Sequence, residues 1–404
     1  MRNVVFAAPF PLETTMRFAR AAAGLEDVRL LGIVHEPPAG ADAGLYADVV
    51  GVADGLDARQ LLDAAAVLQR RHGPIHRVLG ILEPLQVQLA EVRRALGVPG
   101  TDPHTADLFR DKARMKDELR RHGLPCARHR LLRSREDAAA FVAEVGYPIV
   151  LKPPAGMGCK ATWRIGTKEA LGAALGAMHA SADRPALAEE LVRGTEHSFE
   201  TITIDGQVRF ESLSRYHPTP LEVMETPWIQ WVVVLPRDIS GPEWQDAREL
   251  GVRAVGALGL ETGFTHMEWF RRDDGSLAIG EIAARPPGAH MVAANGWAHD
   301  TDMHRAWARA VVDGAFDGPF ERRWAVGIAY LRGVGRGRVV RITGVEQAQE
   351  AVGQLVVECK LPAVGAPRSD SYEGDGWAIL RAPDTEVVTA ALKRVIETIH
   401  VEYG

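Results

Sequence analysis

Two glutamates in this sequence are spaced so that folding would bring like charges together. The run Phe264-Thr265-His266-Met267-Glu268-Trp269-Phe270-Arg271-Arg272 passes through Asp273-Asp274-Gly275-Ser276 into Leu277-Ala278-Ile279-Gly280-Glu281-Ile282-Ala283-Ala284-Arg285. Two alternating runs around an Asp-Gly turn predict a β-hairpin. Whether the turn is Asp274-Gly275 alone or 273–276, Glu268 falls opposite Glu281, Phe270 opposite Ile279 and His266 opposite Ala283. Directly opposed side chains have Cβ atoms roughly 5 Å apart, and like charges there are destabilising. A hard divalent cation shared by both carboxylates removes the conflict, since Mg2+ takes one or two carboxylates together with substrate phosphates. The alternative is a solvated sheet face with one glutamate splayed outward. Arg285 shares the side-chain parity of Glu281, which lets it project toward the same ligand.

A second group of residues points to phosphate. Only seven of the 47 basic residues are lysines (112, 116, 152, 160, 168, 360 and 393), and five of these lie between 112 and 168. In an Arg-biased chain such clustering can be chance; the sharper reading is a segment that needs compact ammonium charges, which a planar guanidinium does not replace. Tyr147-Pro148-Ile149-Val150-Leu151-Lys152-Pro153-Pro154 reads as a strand carrying a lysine near its end. The loop Ala155–Thr162 comes next, with Gly156, Gly158 and Lys160, and its small residues let backbone N–H groups approach and cradle oxyanions. It lacks GxxxxGK[ST], so it is not a Walker loop, and a glycine turn alone would serve a plain hairpin equally well. Lys152 changes that balance, because a strand lysine beside such a loop sets a point charge next to bound phosphates.

The chain has 404 residues, which suits two or three domains. Hydrophobic residues make up 46% and charged ones 25%, which excludes wholesale disorder. A net charge of −6 provides no overall positive field for nucleic acid or an acidic membrane. No apolar run approaches the ~18 residues that span a bilayer. The N-terminal MRNVVFAAPF reads as a first β-strand rather than a signal peptide, and a cytoplasmic protein is expected. Cys126, Cys159 and Cys359 are isolated, without CxxC, which argues against a disulfide framework or structural zinc. Cys159, in the glycine loop, reads as a small space-filling residue.

Residues 1–100 alternate strand and helix: strands near 4–8, 28–34 and 78–82, helices near 12–23, 56–71 and 85–96. That rhythm implies a parallel sheet with crossover helices. No GxGxxG comes after the first strand. Asp102-Pro103 reads as a boundary. Helices are expected at 111–122, 136–145, 168–179, 241–259, 300–312 and 385–399, with short strands at 187–192, 198–204 and 207–213.

The whole series resembles the ATP-grasp superfamily, carboxylate–amine ligase branch. Asp111-Lys112 and then Met115-Lys116 are similar to the family's first lysine motif, Ile149–Pro153 to its strand lysine and Gly156–Thr162 to its lid loop. Ala188-Glu189-Glu190-Leu191-Val192-Arg193-Gly194-Thr195-Glu196 is similar to the hinge. The resemblance implies an α/β fold: an N-terminal Rossmann-like domain (1–105), an ATP-grasp domain (106–325) with its lid at about 130–205, and a small C-terminal α+β unit (326–404). It implies ATP held by Lys112, Lys152, Gly156, Gly158, Lys160, Glu189, Glu190, Val192 and Glu196. Glu189 and the backbone of 190–192 would take the adenine, and Glu196 the ribose. Glu268 and Glu281 would hold one or two Mg2+, with Mn2+ as a substitute, and Arg285 with Lys152 would stabilise the transferring phosphoryl group. The family commonly has Asn two residues after the second acidic ligand; here it is Ala283. The activity implied joins a small-molecule carboxylate to an amine through an acyl phosphate, without nucleic acid or membrane, and a homodimer is compatible with it. The C-terminal unit, with Gly344-Val345 before a helix and Leu355-Val356-Val357 before a loop, resembles that of bacterial L-amino-acid (dipeptide) ligases. Two other readings stay open: a carboxylase that activates bicarbonate, and a catalytically silent nucleotide-binding protein.

Overall fold

The computed structural model describes residues 1–404. The first hundred residues build a four-stranded parallel sheet in the order Asp48–Gly51, Val28–Val34, Arg2–Ala7, Ile75–Leu79. Both faces of the central strand are covered: Val4 and Phe6 pack with Phe18, Val5 and Ala7 with Leu61 and Leu89, as parallel strands require. The strand expected at 78–82 lies earlier, at Ile75–Leu79. Strand order reverses at Arg2–Ala7, so a crevice opens between its carboxyl end and that of Ile75–Leu79. The chain leaving Ile75–Leu79 puts Glu83 at the start of a short 3-10 turn there.

Asp102-Pro103 is a helix start. Asp102 accepts from the backbone N–H of His104 (2.8 Å) and Thr105 (3.2 Å), and Pro103 opens the helix Pro103–Arg110. Asp111 then caps Lys112–Arg121 in the same way, through Ala113 (2.9 Å) and Arg114 (3.0 Å). The two helices therefore meet at a fixed corner, with Arg110 and Lys112 side by side.

Beyond this corner the chain builds a small antiparallel sheet, in the order His129–Leu132, Ala186–Glu190, Ile149–Lys152, Trp163–Ile165, backed by the helices Arg135–Val145 and Lys168–Ala177. Its last strand ends at Glu190. The strand Gly194–Ile204, which the 130–205 boundary assigned to the lid, pairs instead in the main sheet, with Gly263–Arg272 and Gln207–His217. Between the two sheets Gly194 has φ +140°, and a Cβ there would run into the Arg271 carbonyl. Gly194→Ala is therefore expected to cost about 3 kcal/mol in chemical denaturation; a loss under about 0.5 kcal/mol would mean that the crossing relaxes freely.

The main sheet has eight antiparallel strands, in the order Leu277–Ala283, Gly263–Arg272, Gly194–Ile204, Gln207–His217, Trp231–Leu235, Ala325–Leu331, Gly376–Ala382, Val356–Lys360. The last three come from the C-terminal region, which thus continues the sheet. Val356–Lys360 is an edge strand. The helix expected at 300–312 is shorter: Asp302 caps Met303–Ala308, and a π turn closes it at Arg309–Asp313.

Candidate active site

The hairpin 263–283 sets one wall. Glu268 pairs with Glu281 and His266 with Ala283, as the alternation predicts. Phe270, however, pairs with Ala278, and Trp269 with Ile279, because a bulge lies between Glu268 and Trp269 on one strand and at Gly280 on the other. A Cβ on Gly280 would lie 3.2 Å from the Glu268 carbonyl and 3.0 Å from the Phe270 ring. The bulge leaves the Gly280 carbonyl free of the ladder, and the Lys116 ammonium donates to it.

Lys116 and Lys152 share one carboxylate. Lys116 Nζ lies 3.1 Å from Glu189 Oε1, and Lys152 Nζ lies 2.9 Å from Glu189 Oε2. Burial alone would push Glu189 up, but the two ammonium groups hold it down to about 2. Burial pushes Lys116 down despite Glu189. It would do the same to Lys152, where Glu189 and Glu281 outweigh it and the pKa is raised. A carboxylate whose folded pKa lies below its unfolded one contributes stability that is complete above about 4.5 and lost as pH falls toward about 2. Glu189→Gln is thus expected to lower Tm at pH 7 and to flatten the fall of Tm between those pH values. An unchanged acid limb would remove this cluster as the cause.

A third lysine, Lys112, reaches Glu281 Oε1 at 2.8 Å and donates to the Gly156 carbonyl at 2.9 Å. Its own backbone N–H donates to Pro154 at 3.0 Å, so the base of the 155–162 loop is fastened to the helix corner. Within the loop, Cys159 (φ 54°) and Ala161 (φ 52°) adopt the left-handed conformation, a cost of order 1–3 kcal/mol each that clusters at ligand clamps.

These elements line two neighbouring cavities. The first, about 390 Å3, lies between the small sheet and the main sheet and is lined by Lys152, Glu189, Glu190, Val192 and Glu196. Glu196 is buried, and burial together with Glu268 pushes its carboxyl well above the ordinary range. The second, about 70 Å3, is lined by Glu268, Glu281, Ala283, Arg285 and Gly158, with the rings of Tyr216, Trp231 and Tyr372. Cys159 and Pro220 line both. Beside the second cavity His266 Nδ1 lies 3.0 Å from Glu200 Oε1, and Glu200 and Glu268 hold the imidazole at about 9 against the effect of burial. Arg285 donates to Glu83 Oε2 from Nε (3.2 Å) and Nη2 (2.9 Å).

Not every candidate reaches the cavities. Lys160 is exposed, forms no ion pair and lines neither. Gly156 contributes its carbonyl to Lys112 rather than a cavity wall. The Glu190 side chain turns toward Arg128 and Arg272, and Glu189 is engaged by Lys116 and Lys152, while 189–192 line the first cavity. Sequence reasoning missed Glu83, Arg110 and Tyr372, and gave Lys116 no role of its own. Glu83 did carry a signal, an acid just past an apolar strand at a sheet's carboxyl edge. Tyr372 carried none.

No cluster of three or more His, Cys, Asp or Glu residues is arranged to hold a metal ion. The opposed pair Glu268/Glu281 fits a Mg2+ that brings its remaining ligands from phosphate and water, not a metal caged by protein. Ala283, 2% exposed and lining the second cavity, adds no donor.

An ATP-grasp domain model matches residues 117–298. That segment is an ATP-grasp domain, and the chain has the ATP-grasp fold. It is 26% identical over 246 residues to the L-arginine-specific L-amino acid ligase of Bacillus subtilis, a match covering 59% of this chain and 58% of that protein. Among solved structures, the L-amino acid ligase from Bacillus licheniformis superposes with a TM-score of 0.82 at 18% identity, over 100% of this chain and 99% of that one. N5-carboxyaminoimidazole synthetase from Staphylococcus aureus complexed with ADP gives 0.72 at 14% identity, over 98% and 97%. No helix is long and apolar enough to cross a membrane.

Proposed function

We propose that the chain is an ATP-dependent ligase that joins an amino-acid-like carboxylate to an amine through an acyl phosphate, releasing ADP and phosphate. The observation that carries this reading is the second cavity. It shares Cys159 and Pro220 with the nucleotide-sized cleft, and Arg285 lines it with the Glu268/Glu281 pair. A carboxylate bound there lies beside the end of a triphosphate held in the first. Its oxygen attacks the γ-phosphorus as the bond to ADP breaks; the amine nitrogen then attacks the acyl carbon, phosphate leaves, and the nitrogen loses its proton.

Lys152 can turn its charge to a phosphate without leaving Glu189 unpaired, because Lys116 remains on it. Lys112, fastened to Gly156, gives the loop base a cation beside Glu281. Arg285 supplies charge where it develops on the transferring group. The 155–162 loop, closed over the junction of the cavities, keeps water from the acyl phosphate. When bound between Glu268 and Glu281, Mg2+ would neutralise phosphate charge.

Phosphate release with MgATP across acid–amine pairs tests the reading. Amine-dependent release is expected; bicarbonate-dependent release would make the protein a carboxylase, and tight ATP binding without turnover would make it a nucleotide-binding protein. Lys152→Ala is expected to weaken ATP binding about 10- to 100-fold, since a charge-assisted contact is worth roughly 1.5–3 kcal/mol. An unchanged Kd by calorimetry would remove Lys152 from the nucleotide site.

A further inference from the structure

Glu83 is 2% exposed, in the crevice where the strand order of the N-terminal sheet reverses. Its Oε1 accepts from Arg110 Nη1 at 3.0 Å, and its Oε2 accepts from Arg285. The same Arg110 Nη1 also donates to the Gly156 carbonyl at 3.0 Å, and its Nη2 donates to the Ala155 carbonyl. An unbroken chain of charge-assisted hydrogen bonds therefore runs from the base of the 155–162 loop, through Arg110 and Glu83, to Arg285. It joins the turn after the N-terminal sheet, the loop, and the segment just past the edge strand of the main sheet.

We infer that Glu83 is a positioning residue. It sets the guanidinium of Arg285 at the reacting phosphoryl group and makes that placement depend on the seating of the loop. The inference rests on the ligase reading above. Apart from Glu83, Arg285 has one hydrogen bond, from Nη1 to the carbonyl of its neighbour Pro286 at 3.0 Å, which constrains its long side chain little. With the loop unseated, Arg110 loses two carbonyl acceptors and turns more fully to Glu83. The grip on Arg285 then loosens, so phosphoryl transfer is favoured only when the loop shields the site. The coupling guards against waste, because water reaching the acyl carbon regenerates the acid and phosphate, with net loss of ATP.

The test compares Glu83→Gln, which keeps shape and an acceptor but removes the charge, with wild type on an acid–amine pair that wild type joins. A misplaced catalytic group can cost about 100-fold in rate, so kcat is expected to fall about 100-fold with the ATP KM within about twofold. The amount of ADP formed per amide is expected to rise above one. Arg110→Lys keeps a cation, but one ammonium cannot span Glu83 and both carbonyls; it should raise the same ratio, and it decides the matter if Glu83→Gln does not fold. A merely structural role predicts a lower Tm and a kcat that tracks the folded fraction, with the ADP-to-amide ratio unchanged. That result, or wild-type kcat in Glu83→Gln, overturns the inference. Failure of the ligase reading looks different: wild type itself forms no amide with any pair.

Discussion

Arg285→Ala is expected to lower kcat by about 1,000-fold while the ATP KM changes by less than about threefold. Arginines that stabilise a transferring phosphoryl group contribute factors of this size. The guanidinium is buried; burial alone would push its pKa down, but Glu83 raises it, so the charge is permanent. It lines the small cavity rather than the larger cleft, so under the proposed reading it would act on charge that develops during transfer more than on ground-state triphosphate. Truncation also leaves Glu83 to Arg110 alone, so Tm should be recorded beside the kinetics. If KM for ATP rises while kcat is intact, Arg285 binds substrate only, and the proposed mechanism is misassigned.

Glu281→Gln is expected to abolish turnover, and the neighbouring Ala283→Asn to preserve it. Burial alone would push Glu281 up, but Lys112 and Lys152 hold it below the usual carboxylate range, so it is charged at neutral pH. Gln keeps an oxygen for Lys112 at its 2.8 Å position but removes the charge. A pair of carboxylates becomes one, too few to complete a Mg2+ shell shared with phosphates. At Ala283 the reverse change offers the cavity an amide oxygen where a methyl group stands. Ala283→Asn should lower the Mg2+ concentration that gives half-maximal rate. A buried amide without a partner would instead cost roughly 1–3 kcal/mol. An unchanged Mg2+ dependence with a lower melting temperature would therefore sink the metal reading at this position.

The parts of the site readable from the chain are those set by short-range geometry. A period of two on each side of an Asp-Gly turn is enough to oppose Glu268 and Glu281 and to put Ala283 on their face. The strand lysine beside a glycine loop is legible for the same reason, since both lie within a dozen residues. Asp102 and Asp111 were legible as caps in principle, but Asp-Pro serves a boundary and a helix start alike, and only the residues C-terminal to it distinguish the two.

Long-range partners settled the rest. The Phe270–Ile279 register failed because Gly280 bulges, and its carbonyl serves Lys116, a residue 164 positions away. Trp231–Leu235, a short apolar run, was missed, and it is buried along its whole length in the middle of the main sheet. Only residues 191–193 separate the Gly194–Ile204 strand from Ala186–Glu190, and its hydrogen bonds assign it to the main sheet. Charge placement behaved likewise. Sequence marks Glu189, Lys116 and Lys152 as ionisable, but their sharing of one buried carboxylate comes from three segments meeting in space. Glu83 is the extreme case: its partners Arg110 and Arg285 lie 27 and 202 residues away. Local spacing fixes which way a side chain faces within its own strand or helix; burial and pairing depend on what the fold brings against that face.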